Sequence, residues 1–217
     1  MQSITSLNIK GYGGQPVPNT FFFQDQETQH LAIVFPGFAY TADMPVLYYP
    51  GRLLVQRGAD LLQVKHAYHQ PPLRAISGAE RAARLGQDVA AACEAGLAQR
   101  AYEQITLVGK SLGTLAMGQL VATDARFRDA QCIWLTPLLT NGELRAQTTQ
   151  GKQRGLFVLG TDDRYYDPTH LAEVVEATNG QSVVIEGADH SLEMAGDVVQ
   201  SLRAMERVMR AIEAFLK

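Results

Sequence analysis

Short, nearly continuous apolar runs recur along the chain, at residues 31–35, 61–64, 105–108, 132–135, 156–159 and 182–185. Each is aliphatic or β-branched and lacks the polar alternation of a half-exposed strand. Such runs are expected of strands buried on both faces of a parallel sheet. A further run at 20–24, Thr20 followed by three phenylalanines and Gln24, predicts an antiparallel edge strand. Between the runs the spacing changes to three and four residues. This predicts helices over 77–97, 112–123, 168–178 and 197–217, with Asp167 as an N-cap and Pro168 at the first helical position of the third. Alternating strands and helices imply crossover units, a parallel sheet and helices on both faces. Residues 36–51 and 136–154 carry no clear period, and the second segment is too short for a large cap.

With 217 residues, one domain covering 1–217 is the expected organisation. A composition of 46 % hydrophobic and 19 % charged residues fits an ordinary globular chain. The net charge of −3 and the lack of any basic cluster argue against a nucleic-acid partner, which would require phosphate neutralisation. No apolar run is long enough for a membrane span, and residues 1–10 lack a signal-peptide pattern, so a cytoplasmic location is the default expectation. Cys93 falls in a helical stretch and Cys132 opens a strand, so both read as small buried hydrophobes.

Gly109-Lys110-Ser111-Leu112-Gly113 lies between a predicted strand and a predicted helix. G-x-S-x-G in that context is a nucleophile elbow, a sharp turn that lifts a serine hydroxyl above the sheet. The following helix directs its free N–H groups and the positive end of its dipole at the same point. Gly109-Lys110-Ser111 also matches the end of a phosphate-binding loop, but that motif needs a glycine at 104, where Gln104 stands.

A serine hydroxyl needs a general base, and the base needs a group to orient it. In elbow-bearing sheets the order along the chain is nucleophile, acid, histidine, which leaves His170 and His190 of the five histidines. His170 falls inside a predicted helix, whereas His190 follows the last strand, where open α/β sheets place their sites. His190 is therefore the expected base. The acid should follow the strand at 156–159, where Asp162 and Asp163 are adjacent. Asp167 is better explained as a helix cap.

From about residue 31 onward the chain resembles the α/β-hydrolase superfamily. The resemblance implies an α/β-hydrolase fold with a mostly parallel central sheet of six to seven strands and helices on both faces. The family pattern G-x-x-D falls on Gly160 and Asp163, which favours Asp163 over Asp162, and the final D-H motif falls on Asp189-His190. The family's oxyanion loop falls on Pro36-Gly37-Phe38, with proline where a histidine is usual. The resemblance thus implies backbone donors at Phe38 and Leu112.

The loops leaving the same sheet edge carry Tyr40, His66, Tyr68, His69 and Leu138. Of these, Tyr40, His66, His69 and Leu138 are the expected pocket residues. His66 and His69 have no third ligand nearby, so no metal is expected, and nothing calls for a cofactor. The expected function is hydrolysis of a small carboxylic ester or thioester through Ser111, His190 and Asp163. The alternatives are a catalytically silent scaffold used for binding and an acyltransferase using the same three residues. The expected partner is a small acyl substrate, and the sequence does not specify an oligomeric state.

Overall fold

A computed structural model describes residues 2–66, 69 and 73–217. Eight strands form one sheet in the order β1-β2-β4-β3-β5-β6-β7-β8. They are β1 (Gln2–Thr5), β2 (Asn19–Gln24), β3 (His30–Phe35), β4 (Asp60–Val64), β5 (Gln104–Lys110), β6 (Gln131–Leu135), β7 (Gly155–Gly160) and β8 (Gln181–Ile185). The last six are mutually parallel; at one end β2 runs antiparallel to β4, and β1 runs antiparallel to β2. The sheet therefore has one strand more than the upper sequence expectation. Residues 20–24 do pair antiparallel to β4, but they are not the edge, because β1 covers them.

Along β3, Leu31, Ile33 and Phe35 enter one core layer while Ala32 and Val34 enter the other. Both faces are buried, which accounts for the absence of polar alternation. The first layer is closed by α2 (Gly78–Leu97), α3 (Leu112–Thr123), α4 (Gly142–Gly151) and α5 (Pro168–Ala177), and the second by α1 (Pro45–Gln56) and α6 (Val198–Phe215). Near the sheet centre, Trp134 stacks on Phe157 with centroids 5.9 Å apart and planes 3° apart, and Trp134 is 1 % exposed.

Helix starts follow local chemistry. Ser77, Asn141, Asp167 and Asp197 each accept a hydrogen bond from a first-turn N–H, satisfying donors that lack intrahelical partners. Residues 36–51 and 136–154, which carry no clear sequence period, contain α1 and α4. α1 starts with Pro45 and runs through a buried Pro50, which reads as a helix breaker in sequence. α4 buries only Leu144 and Thr148, too few positions to show a helical period. Among the described residues, no helix is long and apolar enough to cross a membrane.

Candidate active site

The carboxyl ends of the parallel strands converge on one edge. Strand order reverses between β4 and β5 around β3, and crevices at such reversals are where open α/β sheets hold ligands. β5 ends there and the chain turns sharply at Ser111, whose φ of 51° and ψ of −115° lie outside the comfortable range of an L-residue. Ser111 is the N-cap of α3, a position where serine normally bonds a first-turn N–H. It makes no such bond. Its Oγ instead lies 2.8 Å from His190 Nε2.

The glycines of the elbow are explained by close approaches. A Cβ on Gly109 would lie 2.5 Å from Met117 Sδ, and one on Gly113 would press onto the Phe35 carbonyl, 2.8 Å from its carbon. A Cβ on Gly37 would meet the Cβ atoms of Tyr40 at 3.2 Å and Ser111 at 3.4 Å, so the loop after β3 lies against the serine. In that loop the Gly37 N–H donates to the Tyr40 carbonyl at 2.9 Å.

His190 sits in the turn after β8. Asp189 shapes that turn by accepting from the N–H groups of Ser191 and Glu193. The imidazole Nδ1 is 2.7 Å from Asp163 Oδ2, and the Asp163 side chain is fully buried. The other oxygen of Asp163 accepts from the Tyr165 N–H at 2.9 Å. The Tyr165 ring stands 5.1 Å from the imidazole and walls it on one side. Asp162 is exposed and belongs to the turn framework, with its N–H donating to the Ala188 carbonyl at 3.0 Å. The structure thus brings Ser111, His190 and Asp163 into one hydrogen-bonded chain. It leaves His170 on α5 beside Asp167, 3.7 Å away.

The expected pocket residues have different surroundings. Tyr40 is buried, its hydroxyl accepts from the Val46 N–H, and burial pushes its phenol up to about 12. His66 is buried and paired with Asp88 at 3.1 Å. The His69 Nδ1 lies 3.2 Å from the Phe38 carbonyl, and Leu138 is half-buried against the α2–α5 core layer. Tyr68 lies outside the described residues. A groove of about 360 Å³ opens beside Leu112, lined by Arg81, Leu85, Leu115 and Gln119. A more apolar one of about 400 Å³ lies beyond Tyr40 and Ser191, between α1 and α6. The described residues contain no cluster of histidine, cysteine or carboxylate side chains suited to a metal.

Sequence reasoning missed Lys110 and Tyr165. Lys110 is 1 % exposed, and its ammonium lies 2.8 Å from the His190 carbonyl. A charged residue closing a strand that is buried from Ile105 onward was an available signal. For Tyr165 the sequence offers only its nearness to Asp163.

No family model and no curated protein matches the chain. Solved structures do. An esterase of Pyrococcus furiosus superposes with a TM-score of 0.69 at 11 % identity, covering 100 % of this chain and 92 % of that one. A serine hydrolase without a lid from Xanthomonas campestris gives 0.67 at 16 % identity, with 99 % and 93 % covered. A dienelactone hydrolase-like promiscuous phosphotriesterase from metagenomic libraries gives 0.69 at 16 % identity, with 99 % and 98 % covered. The fold is therefore that of the α/β hydrolases.

Proposed function

We propose that the protein is a serine hydrolase acting on small carboxylic esters or thioesters. The observation that carries this reading is the chain Ser111–His190–Asp163, at 2.8 and 2.7 Å, on a serine held at positive φ. His190 Nε2 takes the proton as Ser111 Oγ attacks the acyl carbon, and later gives it to the leaving group. Asp163 fixes the imidazole tautomer and stabilises its cation. The N–H of Leu112, first in α3, lacks an intrahelical partner, and that of Phe38 lies in the loop packed on the serine. Together they receive the oxyanion. Water then releases the acid from the acyl-enzyme. The chain passes from β6 to β7 through α4 without a larger insertion, which suits an open site and small substrates.

Labelling with a fluorophosphonate tests the reading. The wild type should label, and Ser111→Ala and His190→Ala should not. Turnover of a short activated ester should fall by about 10⁴-fold or more in both variants. Failure of the folded wild type to label would refute the proposal. Product analysis with an added alcohol would separate hydrolysis from acyl transfer.

A further inference from the structure

Lys110 precedes the serine and is the last residue of β5. Its side chain runs towards the α1–α6 side of the sheet, where its ammonium is fully used. It donates to Thr136 Oγ1 at 3.0 Å and to the His190 carbonyl at 2.8 Å, and it lies 4.5 Å from the centroid of the Tyr40 ring. These contacts join the ends of β5 and β6, the loop after β3 and the histidine turn. Two of the non-glycine residues at positive φ, Ser111 and Thr136, flank this junction. No carboxylate among the described residues forms an ion pair with Lys110, and Asp163 and Asp189 act on it only at a distance. Burying a cation without a paired anion is costly, and a methionine of similar shape would avoid that cost. The expense therefore calls for a role beyond packing.

We propose that Lys110 is a positioning residue for the Ser111–His190 pair. Its ammonium clamps the His190 backbone to the ends of β5 and β6 and places a buried positive charge in the histidine turn. This rests on the hydrolase reading of the site. The groups facing the ammonium are Asp163 after β7, Asp189 and the His190 carbonyl after β8, Thr136 after β6 and Tyr40 after β3. Burial outweighs the two carboxylates and draws the lysine down to about 8, so the cation persists at neutral pH. A positive charge disfavours imidazolium. Removing it raises the pH at which His190 takes up a proton.

The test uses Lys110→Met and Lys110→Gln, each with the native serine and with Ser111→Ala. The imidazole is titrated by ¹⁵N NMR, with the His190 signal assigned through His190→Ala. Both variants should move the His190 midpoint up by about half a pH unit or more. kcat should fall by about tenfold or more with KM within about twofold. Lys110→Gln, which keeps a donor, should recover part of kcat while its midpoint stays raised. A folded variant with an unmoved midpoint, or with a loss confined to KM, would overturn the proposal. Should neither variant fold, the wild type decides: its His190 signal should shift a second time at alkaline pH, where Lys110, lowered by burial, loses its proton, and a curve without that second shift overturns the proposal. A wild type that fails to label with fluorophosphonate would sink the hydrolase reading and leave the imidazole titration readable.

Discussion

Gly160→Ala tests how the acid and histidine turns are held together. Gly160 ends β7, pairs with Ile185 of β8, and packs against the backbone of Ala188, two residues before the histidine. A methyl group there would press onto the Ala188 carbonyl oxygen, 2.5 Å from the carbonyl carbon and 2.9 Å from the Ala188 Cβ, where ordinary contact begins at 3.4 Å. Backbone cannot rotate away as a side chain can, so the two turns must part by about 1 Å. Overpacking of this kind costs about 1–3 kcal/mol, or roughly 3–10 °C in Tm for a chain this long. The same movement would stretch the 2.7 Å His190–Asp163 bond beyond hydrogen-bonding range. Misplacement by about 1 Å lowers turnover by about 100-fold, so ester hydrolysis should fall more steeply than stability alone explains. A circular-dichroism melt and initial rates on a short activated ester measure the two effects. Gly142→Ala is the control, since its nearest contact is the Arg145 Nη2 at 3.8 Å. Gly160→Ala with Tm within about 1 °C of the wild type and turnover within about threefold would refute the reasoning.

Ser111→Gly should abolish fluorophosphonate labelling while raising stability by about 1 kcal/mol, because glycine adopts φ 51° without steric cost; a lowered Tm would count against strain at the elbow. His30, whose Nε2 lies 2.9 Å from Thr106 Oγ1, is drawn down from 6.5 to about 4 by burial. Between those values the unfolded chain binds a proton that the folded one refuses, so stability rises with pH across the window and is lost as the solution is acidified through it. Urea unfolding at pH 7 and 4.5 should show this loss, about 2 kcal/mol, and His30→Gln should remove that part of the slope. An unchanged slope in His30→Gln would refute the assignment.

The parallel strands were legible because each buries both faces, so its apolar residues are contiguous. The elbow was legible because steric demand places glycines at 109 and 113, either side of the serine. What the sequence hid depended on neighbours distant along the chain. β1 contributes one large apolar residue, Ile4, and leaves it 61 % exposed, so no run marks it. Pro50 reads as a breaker although the helix continues through it with the ring buried. His66 reads as a loop histidine until the fold sets Asp88 of α2 against it. Lys110 looks like a surface charge until its strand is placed at the centre of the sheet. Residue spacing alone left Asp162 and Asp163 equivalent, and only the family pattern favoured Asp163; the turn buries that carboxylate and exposes the other.

The stacked Trp134 gives the protein an optical reporter of its own. It is the sole tryptophan, and its strand position pairs with Gly109, two residues before Ser111. An indole sealed from water and laid on Phe157 emits at short wavelength, and unfolding shifts that emission to the red without any attached dye. Because the reporter pairs with the strand that carries the elbow, a rearrangement there should register in its spectrum. One cuvette could then follow the state of the site and the fate of an added ester together.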